Sequence, residues 1–263
     1  MFKKILKYFL LPIRKVITKL VISDIITRDI EYNNLPINMA AQYIITEGVD
    51  GDYYEFGCFK GQSFIKAYNA INHYYNKWSK FERTYQAFSN KKLAQKAFEK
   101  MRLHKCRYYV FDSFKGLPAI EGKDENHPIF SEGRYDCSKS DFELNLKKNN
   151  IELKDVNILE GFYEDTLSSD LKKKYNMNKA SIILIDCDLY NSAKIVLNFI
   201  TDLIQDGTII IFDDWFAYKG SPNKGEQLAT KDWLLENKNI KLIPFARYGI
   251  YQQSFIVHIN EIK

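Results

Sequence analysis

The sequence lacks the marks of several common protein classes. It holds four cysteines in 263 residues, Cys58, Cys106, Cys137 and Cys187, widely spaced and without a C-x-x-C pair. That spacing argues against a disulfide framework and supplies no zinc-ligand pattern. Cys58, Cys106 and Cys187 sit in or beside apolar runs, where a reduced thiol packs as a small hydrophobe. A reducing cytoplasm is the expected setting. No apolar run reaches the roughly 18 residues that a membrane span needs, and no small-residue cleavage site marks a signal peptide. Internal repeats and low-complexity segments are missing. So is G-x-G-x-x-G, the phosphate loop of a nicotinamide-dependent oxidoreductase, which leaves that class a weak rival.

What is present is ordinary globular composition, 46% hydrophobic and 27% charged, in a chain long enough for one large α/β domain. The net charge of +5 is local. Residues 1–20 hold Lys3, Lys4, Lys7, Arg14, Lys15 and Lys19 and no acid, so 32 basic residues face 33 acidic ones elsewhere. A near-neutral body makes nucleic acid a poor partner. The tail places Phe2, Ile5, Leu6, Phe9, Leu10 and Ile13 at amphipathic-helix spacing. Two readings fit: a helix packed on the domain or on a second copy in a homo-oligomer, and a basic helix lying on an anionic membrane through residues 1–22.

Beyond the tail, strands are expected near 53–57, 106–111, 155–160, 181–185, 208–212, 240–246 and 250–259, with helices near 24–47, from 63, and at 139–149, 166–175, 190–205 and 225–237. Ser181–Ile185 and Thr208–Phe212 are apolar throughout, as strands buried on both faces require. The last two runs leave no room for a helix and should pair antiparallel. The pattern predicts an α/β fold: a doubly wound, mostly parallel, seven-stranded Rossmann-like sheet with an antiparallel C-terminal strand and extra N-terminal helices. Residues 1–47 are expected to form the N-terminal helices and 48–263 the main domain, with a helical insertion at 72–104 and a Gly/Pro-punctuated lid at 114–136.

Ligands of such sheets bind at the C-terminal strand ends, and the motifs fall there. Glu55-Phe56-Gly57-Cys58-Phe59-Lys60-Gly61-Gln62-Ser63 ends the first strand in a G-x-x-x-G turn. An acid before that turn suits an ammonium group better than a pyrophosphate. Asp112, followed by Ser113, closes the second strand, where a carboxylate can accept from ribose hydroxyls. Asp186 and Asp188 follow SIILI, and Asp213 and Asp214 follow TIIIF. The 27 residues from Asp186 to Asp213 are one helix plus one strand, so the two strand ends can lie side by side. Neighbouring buried carboxylates are costly unless a cation compensates, and Mg²⁺ is a hard ion that takes oxygen ligands.

With these motifs, VFDSFKGLP and EGFYEDTL on the page, the chain from about residue 24 to 257 resembles the macrocin O-methyltransferase family, class I enzymes that depend on S-adenosylmethionine and Mg²⁺. The resemblance implies a metal held by Asp186, Asp213 and Asp214. It puts the methionine moiety near the Glu55–Gly61 turn with Ser63, the ribose on Asp112 beside Ser113, and the adenine by Gly161-Phe162-Tyr163. It also implies methyl transfer to a hydroxyl, often on a sugar or cell-surface glycan precursor. A small phosphorylated metabolite or an N-acceptor is the alternative, and an inactive membrane-recruited homologue a more distant one. Asp186 or Asp188 is the expected general base. His127 and His258 are further base candidates against an ordinary packed or surface role. Glu226, Lys219 and Lys224 are candidate acceptor contacts, and a solvated loop explains them equally well. The expected location is cytoplasmic, with membrane association through the tail as the variant.

Overall fold

Side-chain alternation divides the core into two layers before any helix is considered. The computed structural model describes residues 36–88, 104–125 and 127–260. In it β1 (Asp52–Phe56), β2 (Tyr108–Asp112), β3 (Val156–Glu160), β4 (Ala180–Ile185) and β5 (Ile209–Phe212) run parallel. The hairpin of β6 (Ile240–Tyr248) and β7 (Gln252–Ile259) adds β7 antiparallel to β5. The seven strands lie in the order β3-β2-β1-β4-β5-β7-β6. This is the expected doubly wound sheet.

Successive strand residues face opposite sides. Tyr54, Phe56, Tyr109, Phe111, Ile183, Ile185, Ile210 and Phe212 share one buried layer. Tyr53, Tyr108, Val110, Ile182, Leu184, Ile209 and Ile211 share the other. Helices α1 (Pro36–Glu47), α2 (Gln62–Phe88) and α3 (Lys139–Lys148) cover the second layer with Ala40, Ala41, Ile44, Phe64, Ile71, Phe142 and Leu146. On the first lie α4 (Tyr163–Thr166), α5 (Ser169–Lys174), α6 (Tyr190–Ile200) and α7 (Gly225–Glu236), the last two contributing Val196, Leu197, Leu228 and Trp233. Face-to-face stacks of Tyr54 on Tyr109 and Phe56 on Phe111, at 4.9 and 4.6 Å, lock β1 to β2.

Several local expectations change. The helix expected from residue 63 runs unbroken to Phe88, so the first part of the 72–104 segment is a prolonged crossover helix. The helix expected at 166–175 is two helices, because the Ser168 hydroxyl accepts the Leu171 N–H at 3.2 Å and starts α5 afresh. The amphipathic tail, 1–22, lies outside the described residues, as does the first half of the helix expected at 24–47. Among the described residues no helix is long and apolar enough to cross a membrane.

Candidate active site

The parallel strands end together, and their backbone bonding continues one residue further. The Gly57 N–H donates to the Phe111 carbonyl, Asp186 to Phe56, Asp213 to Ile185 and Gly161 to Asp112, all at 2.8–3.0 Å. This aligns the expected motifs along one rim, above a cleft of about 380 Å³. Of the expected cofactor residues, Gly57, Asp112, Ser113, Gly161 and Phe162 line the cleft, and so do Asp186, Asp188, Asp213 and Asp214.

Gly57 has a specific reason to be glycine. Its φ is 84°, and a Cβ there would lie 1.9 Å from the Asp186 carbonyl oxygen. The turn beyond it is shaped by Asp112. One carboxylate oxygen accepts the N–H groups of Cys58 and Phe59 at 2.8 and 3.0 Å, and the other accepts that of Phe114 at 2.8 Å. Asp112 thus fixes both loops of the cleft, and few of its lone pairs are left for ribose hydroxyls. Ser113 forms a local turn, donating to the Gly116 carbonyl at 2.8 Å.

Three expected cofactor residues, Glu55, Gly61 and Ser63, do not line the cleft. Strand alternation puts Glu55 on the same face as Tyr53, under α2. There it is fully buried and accepts the Tyr53 hydroxyl at 2.5 Å and the Ser63 hydroxyl at 2.6 Å. Both oxygens are occupied, so Glu55 offers nothing to an ammonium group in this arrangement. Burial pushes its carboxyl up to about 7, against the hydrogen bonds from Ser63 and Tyr53. Gly61 is small for packing: a Cβ would meet the Phe142 ring at 2.8 Å.

The acidic end of the cleft is where charge concentrates. Asp186, Asp188 and Asp214 each bring an oxygen within 4.8 Å of the other two. Asp188 is the third member of this close group, whereas the resemblance implies Asp213 as the third ligand. Asp213 stands beside the group and accepts a hydrogen bond from the Gln252 side chain at 3.3 Å. Burial, then Asp213 and Asp188, pushes the Asp186 carboxyl far up. Burial, then Asp188 and Glu226, does the same to Asp214. Asp188 is raised to about 6 by burial, held back by a hydrogen bond with Asp214 and by nearby Arg134. Its backbone is strained at φ 60°, in the left-handed region that aspartate tolerates but does not favour.

Glu226, an expected acceptor contact, is instead buried behind this group, 1% exposed. One oxygen accepts the Asp214 N–H at 3.0 Å, and the other has no partner. So many ionisable acids in one buried place, one of them half-satisfied, fit a compensating divalent cation better than any uncharged ligand. The all-oxygen donor set suits a hard ion such as Mg²⁺.

The remaining candidates fall away from the chemistry. His258 pairs with Asp206 at 3.3 Å, near the start of β5 and far from the strand ends. His127 stacks on Phe130 at 3.9 Å and tilts against Tyr218, and burial and Lys224 lower its pKa. Lys219 is exposed, and Lys224 lies over the Tyr218 ring. The lid is pinned by Asp124, which accepts the Tyr190 N–H at 2.8 Å at the start of α6, and by Phe130 packed with Leu189, Ala217 and Tyr218. Phe59, Tyr135 and Tyr251 also line the cleft. Phe59 was quoted within its motif without a role, and nothing in the sequence marks Tyr135 or Tyr251.

The O-methyltransferase NovP superposes with a TM-score of 0.58 at 18% identity, covering 84% of this chain and 77% of that one. CalS11, a calicheamicin methyltransferase, gives 0.55 at 18%, covering 92% and 90%. Cofactor-bound Rv0187 from MTB gives 0.51 at 11%, covering 87% and 81%. At such identities these likenesses show the fold. No curated protein matches the sequence. The family model for Macrocin-O-methyltransferase (TylF) matches residues 91–236, which is 146 of the 263 residues. The chain therefore belongs to the macrocin O-methyltransferase family, and is an S-adenosylmethionine-dependent O-methyltransferase.

Proposed function

We propose that this enzyme methylates a hydroxyl of a sugar or glycan precursor with the help of a divalent cation such as Mg²⁺. The observation that carries the cation is the convergence of Asp186, Asp188 and Asp214 at one end of the cleft. The sugar acceptor rests on membership of the macrocin O-methyltransferase family.

S-adenosylmethionine supplies an electrophilic methyl carbon, and a divalent cation supplies the positive charge that makes an acceptor hydroxyl easier to ionise. The chain's own residues do the rest. Gly57, Asp112 and Gly161 shape the part of the cleft for the cofactor. Asp186 and Asp214 would hold the cation, with Asp188 at the third corner. Asp188 is also the carboxylate assigned to take the hydroxyl proton as the oxygen–carbon bond forms and the carbon–sulfur bond breaks, its electron pair leaving on sulfur. General-base catalysis of that kind typically contributes ~10²–10⁴-fold. Phe59, Tyr135 and Tyr251 give the acceptor apolar walls, and the lid packing around Phe130 excludes water.

The test is transfer of labelled methyl from S-adenosylmethionine to a panel of nucleotide sugars and free glycosides, with Mg²⁺ and with EDTA. Transfer to sugar hydroxyls that EDTA removes and Mg²⁺ restores is the expected result. Undiminished transfer in EDTA overturns the cation. Transfer confined to non-sugar acceptors overturns the substrate class.

A further inference from the structure

Left-handed backbone is costly for any residue that carries a Cβ, and least so for asparagine. Where such backbone only turns the chain, after α3 and α5, the residues are Asn150 and Asn176, at φ 59° and 44°. In the cleft the same backbone carries aromatic rings instead, Phe59 at φ 44° and Tyr135 at φ 61°. Core packing does not account for them. Phe114, also left-handed, is buried against Phe142 at 5.5 Å, but Phe59 and Tyr135 are 38% and 37% exposed.

The two rings reach the cleft from separate segments. Phe59 is in the turn after β1, where Asp112 accepts its N–H. Tyr135 follows the base of the lid, which closes as the Leu117 N–H donates to the Arg134 carbonyl and the Gly133 N–H to the Leu117 carbonyl, both at 2.9 Å. Their centroids stand 6.1 Å apart with the planes at 81°, edge to face. Both line the cleft that holds Asp186, Asp188 and Asp214. Strained backbone under exposed side chains that face a cleft is the mark of a ligand clamp. An aromatic face is negative, and it attracts the weakly positive C–H groups that one face of a pyranose ring presents.

We propose that Phe59 and Tyr135 are specificity-determining residues that hold the acceptor by the C–H face of a pyranose ring, selecting cyclic sugars over open-chain polyols with similar hydroxyls. The proposal rests on the sugar reading above.

The probes are the glycopyranoside that the wild type methylates best in the panel above and the alditol of the same sugar. Phe59→Leu and Tyr135→Leu keep apolar bulk and remove the ring; Tyr135→Phe keeps the ring and removes the hydroxyl. Both Leu variants should raise KM for the glycopyranoside ~3–10-fold, the range of one aromatic contact, with kcat within about twofold. Their kcat/KM for the alditol should stay at the wild-type value, and Tyr135→Phe should match wild type on both probes. Unchanged KM in either Leu variant, equal loss on both probes, or Tyr135→Phe as damaging as Tyr135→Leu overturns the proposal. S-adenosylhomocysteine affinity, measured by calorimetry on the same samples, should be unchanged. Its loss would assign the rings to the cofactor or mark general unfolding, and would overturn the proposal too. If the wild type methylates no sugar, the sugar reading itself has failed and takes this proposal with it.

Discussion

Glu55 gives the sharpest quantitative test, because it is an acid buried away from the cleft with both oxygens satisfied. Burial raises its carboxyl from 4.5 to about 7 in the folded chain. A raised acid holds its proton in the native state over a pH range where the unfolded chain has already released it. Stability is thus greatest below the unfolded value and is lost as pH rises through about 7. A tenfold change in proton affinity is worth ~1.4 kcal/mol, so the full displacement is worth about 3 kcal/mol. Glu55→Gln removes this titration and keeps the shape. Tyr53 and Ser63 carry hydroxyls that donate or accept, so one can turn to take the new amide N–H.

The quantity to measure is the stability of Glu55→Gln minus that of wild type, by urea unfolding in EDTA without cofactor, from about pH 5 to about pH 8. Other buried acids also titrate in this range, but the subtraction cancels them where they are uncoupled from Glu55. The difference should grow in favour of the variant by about 2–3 kcal/mol across that interval, most steeply below about pH 7. A difference that stays flat within ~0.5 kcal/mol refutes the burial argument. A difference that shrinks with pH would mean that the two hydroxyls hold the carboxylate in its charged form.

The other expectations follow from the cleft itself. Asp186→Asn and Asp214→Asn should each weaken Mn²⁺ binding by about 100-fold, with Asp213→Asn less damaging; the paramagnetic resonance of free Mn²⁺ ranks them, and Asp213 as the worst of the three would put it in the ligand set in place of Asp188. Mn²⁺ affinity should rise with pH by at least about tenfold per unit through about 6 and go on rising above it, because Asp188, raised to about 6, and Asp186 and Asp214, pushed far up by burial and their neighbours, must release protons before the ion binds; an affinity independent of pH would exclude these acids from the site. Gly57→Ala forces a Cβ against the Asp186 carbonyl at strained φ and should lower stability by ~2–4 kcal/mol with loss of S-adenosylhomocysteine binding, read by urea unfolding and calorimetry. Asp124→Ala removes the acceptor at the start of α6 and should destabilise by ~1–2 kcal/mol while raising the acceptor KM more than it lowers kcat; an unchanged KM would detach the lid from acceptor binding.

The sheet was legible because its strands are apolar on both faces and separated by helix-length spacers, a pattern that few other folds share. SIILI and TIIIF could hardly be anything but neighbouring central strands, and the acids that follow them had to end at one rim. Glu55 shows the limit. Its parity with Tyr53 is plain in the sequence, but which side of the sheet α2 covers is a property of the assembled fold. The acid before the turn therefore read as facing a ligand when it faces a helix. Asp112 does line the cleft, but the backbone donors that it also accepts from loops on two sides cannot be seen in a one-dimensional pattern.

The same reasoning bears on the third corner of the acidic group, which the resemblance assigns to Asp213 and the carboxylate spacing to Asp188. Two consecutive residues leaving a strand point to opposite sides, so Asp213 and Asp214 cannot easily reach one point together unless the backbone turns sharply between them. Parity alone says that one of the pair joins Asp186. Which one is decided by β7, where Gln252 donates to Asp213 and draws it toward the hairpin, and by α7, where Glu226 holds the Asp214 N–H. The vacancy is filled by Asp188, two residues beyond Asp186 and carried round by a positive φ that no propensity argument would assign to it. Both determinants come from elements more than ten residues further along the chain than the acids they sort. An acid-rich strand end therefore brings carboxylates to one rim, and the later elements choose which of them converge.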